Sequence, residues 1–175
     1  IALSQLGVDA IPVKRIEELN SIEALVLPGG ESTTIAKLAR TFGLFEAIKE
    51  KIANGLPTYG SCAGLILLSN KILDGIEGQE TFGGLDITAR RNAFGRQVDS
   101  FEGELEFKGI GKLNGVFIRA PWVEEVGNGV EVLANAHGHP VAVRQGKILA
   151  TSFHPELTTN YAVHSYFIET ICKAS

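Results

Sequence analysis

The chain has 175 residues, of which 45% are apolar and 21% are charged, and its formal net charge at pH 7 is −4. This size suits a single domain, residues 1–175, around one hydrophobic core. The acidic balance and the scattered Lys and Arg residues exclude the basic surface of a nucleic-acid or anionic-membrane binder. No apolar run approaches the roughly 18–20 residues that a membrane span needs.

The sequence contains two cysteines, Cys62 and Cys172. Two thiols do not make the disulfide framework of a small secreted protein, so we expect both to be reduced and the protein to be cytoplasmic. A disulfide between them stays open at this point. Cys172 lies in an apolar helical pattern and is interpreted as an unreactive core residue.

The first half of the chain alternates between strand and helix patterns, which favours a parallel sheet covered by helices. Apolar spacing and Gly or Pro punctuation predict these elements. They are the end of a helix at residues 1–7, strands at 10–13 and 24–27, a helix over 33–54 that Gly43 interrupts and Gly55 ends, a strand from Pro57 to Tyr59 and a helix over 65–71.

The second half has a different pattern, with short strands separated by Gly, Asn and Pro. This pattern indicates hairpins, or an antiparallel extension of the sheet. A helix over 160–172 closes the chain. The strand candidates are residues 87–89, 101–107, 116–119, 130–133, 141–144 and 148–152.

A cysteine lies on a glycine-flanked turn between a strand and a helix pattern, in Tyr59-Gly60-Ser61-Cys62-Ala63-Gly64-Leu65. The helix would present unpaired N–H groups and its positive dipole end to Cys62, which favours the nucleophilic thiolate. The flanking glycines permit a tight turn, as in the G-x-S-x-G elbow of serine hydrolases. Taken alone, the pattern fits a small buried cysteine equally well.

A second segment, His154-Pro155-Glu156, follows the last strand pattern. In extended backbone His154 and Glu156 would point to one face, and Pro155 favours that geometry at His154. Glu156 would then orient the imidazole and stabilise its protonated form, as the acid of a catalytic triad does. Taken alone, a surface turn is the better explanation. The Cys62 turn reverses this balance, because the carboxyl ends of parallel strands meet at one edge of a sheet.

Three other features have weaker chemical interpretations. Residues 28–32 form a glycine-rich loop that lacks the Walker lysine and the G-x-G-x-x-G spacing, so an oxyanion or amino-acid site is favoured over phosphate. His137 and His139 flank a glycine in a predicted loop, but a metal site there lacks a third ligand. His164 is predicted at the surface or boundary of the last helix.

Together, the Cys62 turn and His154-Pro155-Glu156 resemble the class I, triad-type glutamine amidotransferases. Four segments narrow this resemblance to the glutaminase subunits of pyridoxal 5′-phosphate synthase and extend it over essentially the whole chain. The two middle segments are the more specific to that branch. The segments are Leu27-Pro28-Gly29-Gly30-Glu31-Ser32-Thr33-Thr34, Arg91-Asn92-Ala93-Phe94-Gly95-Arg96-Gln97-Val98-Asp99-Ser100-Phe101-Glu102, Val116-Phe117-Ile118-Arg119-Ala120-Pro121 and Ser152-Phe153-His154-Pro155-Glu156-Leu157.

This resemblance implies a flavodoxin-like, three-layer α/β fold with a mostly parallel central sheet and an antiparallel extension. It also implies hydrolysis of L-glutamine to L-glutamate and ammonia without a bound cofactor. Cys62 would be the nucleophile, His154 the general acid and base, and Glu156 its orienting partner. Backbone N–H groups of Gly30 and Ala63 would stabilise the oxyanion. Glutamine would contact Gly30, Glu31, Ser32, Arg91, Ile118 and Arg119.

An arginine suits the α-carboxylate of glutamine, because its planar fork can bind two oxygens. Surface ion pairing is the alternative for Arg91 and Arg119. The resemblance also implies that ammonia passes to a separate synthase protein with a (β/α)8-barrel fold, within a hetero-oligomeric complex.

Family members begin with a strand and a Gly-Leu-Gln-Gly-like turn. We expect such a segment to precede residue 1 and to be missing from this sequence. Two other functions stay open, namely a glutaminase that serves histidine or purine synthesis and a catalytically silent regulatory module of the same fold.

Overall fold

The computed structural model describes residues 1–91, 93 and 100–173. Among them, no helix has the length and apolar character to cross a membrane. The helices are α1 (Ala2–Gln5), α2 (Ile16–Ser21), α3 (Ser32–Thr41), α4 (Phe45–Ala53), α5 (Ala63–Leu68) and α6 (Ala162–Tyr166), which continues as a π-helical segment (Phe167–Cys172). The strands are β1 (Leu25–Leu27), β2 (Thr58–Ser61), β3 (Ser69–Leu73), β4 (Leu85–Arg90), β5 (Ser100–Phe107), β6 (Gly111–Ile118), β7 (Trp122–Val126), β8 (Glu131–Ala136), β9 (His139–Gln145) and β10 (Ile148–Thr151).

The central sheet has five strands in the order β1-β2-β10-β9-β8. Strands β1, β2 and β10 are parallel, whereas β9 pairs antiparallel with β10 and β8 antiparallel with β9. A three-stranded sheet, β3-β4-β7, and the β5-β6 hairpin complete the described strands. The predicted α/β fold, with a parallel sheet and an antiparallel extension, is therefore confirmed.

Two apolar cores cover the two faces of the central sheet. Along β10, Ile148 and Ala150 join one core and Leu149 joins the other, as the alternation of side chains in a strand requires. The first core is completed by α3, α4 and α5. The second is completed by the β5-β6 hairpin and the C-terminal helix. This arrangement gives the expected three layers, and β2 and β10 are buried along their whole length.

Several local predictions are confirmed within one or two residues. The strand predicted at 24–27 is β1, and the helix predicted over 33–54 is divided into α3 and α4. Gly43 and Gly55 have φ angles of 70° and 97°, which glycine adopts without a Cβ clash where a helix ends. All six strand candidates of the second half overlap strands, although β6 begins at Gly111, five residues before its candidate, and β8 ends three residues after its own.

Other local predictions are wrong. Residues 10–13 run as irregular chain, and the helix predicted over 65–71 ends at Leu68. Ser69 then enters β3, which pairs with β4, while its hydroxyl donates to the Leu65 carbonyl at 2.7 Å. Helix α2 and strand β7 were not predicted. The apolar run of α5 carries no local mark of the pairing that begins at Ser69.

The parallel strands position three loops at one edge of the sheet. Residues after β1, β2 and β10 leave the sheet on the same side, since these strands are parallel and adjacent. Gly29, Cys62 and His154 lie in these loops. The amide N–H of Cys62 donates to the carbonyl of Thr151 at 2.8 Å, which joins the second loop to the end of β10.

Candidate active site

Cys62 occupies a strained turn between β2 and α5. Its φ of 53° and ψ of −101° lie outside the common regions for a residue with a Cβ atom, a strain that costs on the order of 1–3 kcal/mol. A Cβ at Gly60 would lie 2.6 Å from the carbonyl carbon of Gly64, and one at Gly64 would lie 2.5 Å from the Leu27 oxygen. Glycine is therefore required on both sides of the cysteine, and the predicted elbow is confirmed.

His154 and Glu156 are in contact, but not through extended backbone. Pro155–Leu157 forms a 3₁₀ turn, which the N–H of Leu157 closes onto the His154 carbonyl at 3.2 Å. The expectation of a continuing strand is therefore wrong. The turn still joins Nδ1 of His154 to Oε1 of Glu156 at 2.7 Å. The His154 backbone N–H donates to the Val116 carbonyl at 2.8 Å, which fixes this loop to β6.

The imidazole of His154 contacts Glu156, and the neighbouring Cys62 affects its protonation. A hydrogen bond with Cys62 is the largest cause, and one with Glu156 the second, of a His154 pKa raised to about 10. Burial raises the pKa of Glu156, but the hydrogen bond and charge of His154 outweigh it and the net pKa lies below its usual value. The raised pKa of His154 and the lowered pKa of Glu156 both favour a protonated imidazole beside an ionised carboxylate.

The glycine pair of the β1 loop lies against this ring. A Cβ at Gly29 would be 2.5 Å from Cε1 and 2.9 Å from Nδ1 of His154. Gly30 follows with a φ of 136°, which a residue with a side chain rarely adopts. The glycine-rich loop predicted from sequence thus forms one wall beside the imidazole.

Two other predicted substrate residues lie at the end of β6. The Cys62 Sγ is 3.9 Å from the carbonyl oxygen of Ile118. Arg119 follows with a positive φ of 44°, so the chain turns sharply beside the sulfur. These contacts bring the Ile118-Arg119 pair to the same edge as the cysteine.

Glu31, Ser32 and Arg91 form a second group of contacts. The Arg91 Nη2 donates to Oε1 of Glu31 at 3.0 Å, and its Nη1 donates to Oε1 of Gln79 at 2.9 Å. The Nε2 of Gln79 donates to the Ser32 hydroxyl at 2.7 Å. Arg91 is 9% exposed and pairs with the mostly exposed Glu31, so the predicted ion pairing is present and its role in substrate binding stays a prediction. The motif that begins at Arg91 lies partly outside the described residues.

Sequence and structure comparisons identify the family. The model of the SNO glutamine amidotransferase family matches residues 1–173. The chain belongs to this family.

The chain is 58% identical over 174 residues to the pyridoxal 5′-phosphate synthase subunit PdxT of Mycolicibacterium vanbaalenii, an alignment that covers 97% of this chain and 89% of the relative. Identity is also 58%, over 177 residues, to the PdxT subunit of a Nocardioides species, with 98% and 88% covered. A crystal structure of a glutamine amidotransferase superposes with a TM-score of 0.92 at 48% identity and covers 99% of this chain and 91% of its own. A glutamine amidotransferase from Thermotoga maritima, at 14% identity and a TM-score of 0.55, shares the fold over 86% of this chain and 65% of its own.

Three residues that contact the candidate site, Gln79, Thr151 and Ser61, were not predicted to do so. Gln79, which bonds to Ser32 and Arg91, is not part of any recognised motif. Thr151, whose carbonyl accepts from the Cys62 N–H, was predicted only as a strand residue. The hydroxyl of Ser61 donates to Oε1 of Glu156 at 3.4 Å. Ser61 stands inside the glycine-flanked cysteine motif, so its position next to Cys62 was the one available signal.

The other histidines and the second cysteine have different surroundings. His164 is 5% exposed, so its prediction at the surface or boundary of the helix is wrong, and its ring meets Tyr59 edge to face at 5.8 Å. Burial lowers the pKa of His164. His139 stacks on Trp122 at 3.7 Å, and the described residues contain no cluster of three potential metal ligands. Both cysteines are free thiols.

Proposed function

We propose that this chain, acting as one glutaminase domain, hydrolyses L-glutamine to L-glutamate and ammonia through a thioester on Cys62. The observation that carries the proposal is the imidazole of His154, which hydrogen-bonds to Glu156 at 2.7 Å and whose pKa the neighbouring Cys62 raises. This order of nucleophile, base and orienting carboxylate is the one that thiol-based acyl transfer needs. Membership of the glutamine amidotransferase family supports glutamine as the acyl donor.

The reaction begins with the proton on His154 and the negative charge on sulfur. The sulfur attacks the side-chain amide carbon of glutamine, and backbone N–H groups of Gly30 and Ala63 stabilise the resulting oxyanion. Ala63 is the first residue of α5, where amides lack partners within the helix. His154 then gives its proton to the departing nitrogen as the C–N bond breaks, releasing ammonia and leaving the glutamyl thioester.

Hydrolysis of the thioester repeats these roles with water. His154 removes a proton from water, whose oxygen attacks the thioester carbon. The C–S bond breaks, glutamate leaves, and the thiolate and imidazolium are restored. Glu156 stays ionised and stabilises the imidazolium in both halves of the cycle.

The amino-acid end of glutamine is assigned to the second group of contacts. Arg91 supplies a buried positive fork suited to the α-carboxylate, and Glu31 supplies a carboxylate near it. Gly30, Ser32, Ile118 and Arg119 complete the proposed substrate site. The loop after β1 joins the two groups, since Gly29 contacts His154 and Glu31 pairs with Arg91.

We further propose that the ammonia serves a synthase subunit that makes pyridoxal 5′-phosphate, within a hetero-oligomeric complex. The basis is 58% identity to PdxT subunits of pyridoxal 5′-phosphate synthase, over nearly the whole chain. We place the complex in the cytoplasm, where free thiols persist.

Glutamate release, measured with and without the purified synthase subunit, tests the proposal. We expect the pyridoxal 5′-phosphate synthase subunit to stimulate release. Cys62→Ala should abolish product formation from glutamine and spare formation from added ammonia. Stimulation by an imidazole-glycerol-phosphate-type partner alone would reassign the pathway. Absence of a Cys62 adduct with a glutamine-like diazo ketone, even in the complex, would indicate a silent module.

A further inference from the structure

Gln79 joins two residues of the proposed substrate site that are far apart in sequence. It is half-buried in the turn between β3 and β4. Its side-chain amide lies 2.9 Å from Nη1 of Arg91 and 2.7 Å from the hydroxyl of Ser32. Ser32 begins α3 and is 1% exposed, and Arg91 follows β4. One neutral side chain therefore connects the start of α3 to the end of β4.

The chemistry of the partners fixes the orientation of this amide. A guanidinium has only donors, so the atom that faces Arg91 is the Gln79 oxygen. The Gln79 nitrogen then donates to Ser32, whose hydroxyl keeps its own hydrogen for donation to another group. The Gln79 oxygen also accepts from the Ile76 N–H at 3.4 Å, which ties the amide to its own turn.

The neutral charge of Gln79 matters for Arg91. The guanidinium uses one terminal nitrogen for Glu31 and the other for Gln79, and these two bonds set its plane. Glu31 is mostly exposed, with 59% of its side chain accessible, whereas the Arg91 side chain is 10% accessible. Because Glu31 already pairs with Arg91, a second carboxylate at position 79 would make the group net negative and repel the substrate carboxylate. An amide orients the fork and adds no negative charge.

We propose that Gln79 is a positioning residue for the amino-acid end of glutamine, which it serves by holding the Arg91 fork and the Ser32 hydroxyl in one geometry. The proposal rests on the proposed substrate roles of Arg91 and Ser32. We therefore expect Gln79 to affect the affinity for glutamine and not the chemical steps at Cys62, His154 and Glu156.

The experiment uses the full-length chain in complex with its synthase subunit. Gln79→Leu should raise the KM for glutamine about tenfold or more, the effect of losing a hydrogen bond to a charged group. The kcat should stay within about twofold, because the triad is intact. Labelling of Cys62 by 6-diazo-5-oxo-L-norleucine, which carries the amino-acid end, should slow by a similar factor to the KM effect. Labelling by iodoacetamide, which lacks that end, should be unchanged.

Two further variants separate positioning from general damage to the turn. Gln79→Glu preserves the shape and an acceptor for Arg91 but adds a negative charge and removes the donor to Ser32, so KM should rise here too. Glu80→Gln is the matched control in the same turn, since Glu80 is exposed and pairs with Arg40 instead. It should leave both labelling rates and KM at wild-type values.

Wild-type KM in Gln79→Leu and Gln79→Glu would overturn the inference. A joint fall of kcat and of iodoacetamide labelling would also overturn it, since the turn would then support the whole site. Arg91→Met distinguishes this failure from that of the proposed substrate site. If Arg91→Met raises KM and the Gln79 variants do not, only the role of Gln79 fails. If Arg91→Met leaves KM unchanged, Arg91 does not bind the substrate carboxylate, and the role of Gln79 that depends on it is wrong as well.

Discussion

The Cα of Gly29 lies directly against the imidazole of His154, so that a methyl group at position 29 would stand 2.5 Å from Cε1 and 2.9 Å from Nδ1. Real Cβ atoms do not approach carbon or nitrogen so closely. Glu156 holds Nδ1 of the same ring at 2.7 Å. The loop after β1 and the carboxylate therefore confine the imidazole together, although they are more than a hundred residues apart in the chain.

Gly29→Ala should accordingly displace His154 and lower kcat. A shift of about 1 Å in a catalytic group costs on the order of 10²-fold in rate, so we expect a loss of that order with a smaller change in KM. Glutamate release by the complex measures it. Gly103→Ala is the matched control, because a Cβ there meets no atom of the described part of the chain within 4 Å. A wild-type kcat in Gly29→Ala would mean that the close approach of Gly29 to the His154 ring is not required for activity.

The protonation of His154 can be tested by NMR titration of labelled imidazoles. Its pKa is raised to about 10, first by the hydrogen bond with Cys62 and second by that with Glu156. We therefore expect Cys62→Ala to lower this pKa more than Glu156→Gln does. His164, whose pKa burial lowers, supplies an internal reference within the same spectrum. If His154 titrates near 6.5 in the wild-type chain, its pKa is not raised in the folded protein and the prediction is wrong.

The sequence alone predicted those parts of the site whose structural requirement is local, that is, set by residues next to them in the chain. The Cys62 turn was predictable because Gly60 and Gly64 stand beside it, and steric exclusion by neighbouring backbone demands glycine at both positions. His154 and Glu156 were correctly predicted to meet, but through extended backbone. Proline at the first position of a 3₁₀ turn gives the same contact by a different path.

The residues that were not predicted depend on distant partners. Gln79 bonds to Ser32, 47 positions away, and to Arg91, 12 positions away. A lone glutamine in a polar turn has no periodicity or spacing that marks such a role. The same limit applies to Ser69, where pairing with β4 overrides the helical pattern of the preceding apolar run. Contacts that only tertiary structure creates leave no local signal.

The raised pKa of His154 also predicts how the stability of the protein depends on pH. The folded-state pKa of His154, about 10, lies above the ordinary value of 6.5. Its contribution to the free energy of unfolding is therefore complete below about pH 6.5 and is lost as the pH rises through about 10. The difference in unfolding free energy between the wild-type chain and His154→Gln should shrink over that interval. Urea denaturation at several pH values measures it, and a constant difference across this range would contradict the prediction.

Two buried hydroxyl groups, those of Tyr59 and Thr151, link the loops that carry Cys62 and His154. Thr151 donates to the Phe153 carbonyl at 3.0 Å, so its oxygen accepts from the Tyr59 hydroxyl at 2.8 Å. The Thr151 carbonyl accepts from the Cys62 N–H at 2.8 Å. Burial raises the pKa of Tyr59, which keeps its phenol neutral as a donor. Thr151 thus touches the turn of the nucleophile and the residue before His154.

A double-mutant cycle tests this link. Thr151→Val leaves the buried Tyr59 hydroxyl without its acceptor and should reduce the free energy of unfolding by about 1–3 kcal/mol. Adding Tyr59→Phe removes that stranded hydroxyl, so the double variant should be more stable than Thr151→Val alone. Urea denaturation of all four proteins gives the coupling, and Thr151→Ser, which keeps the hydroxyl, is the control. If the two losses simply add, the two hydroxyl groups do not act as one unit and the prediction is wrong.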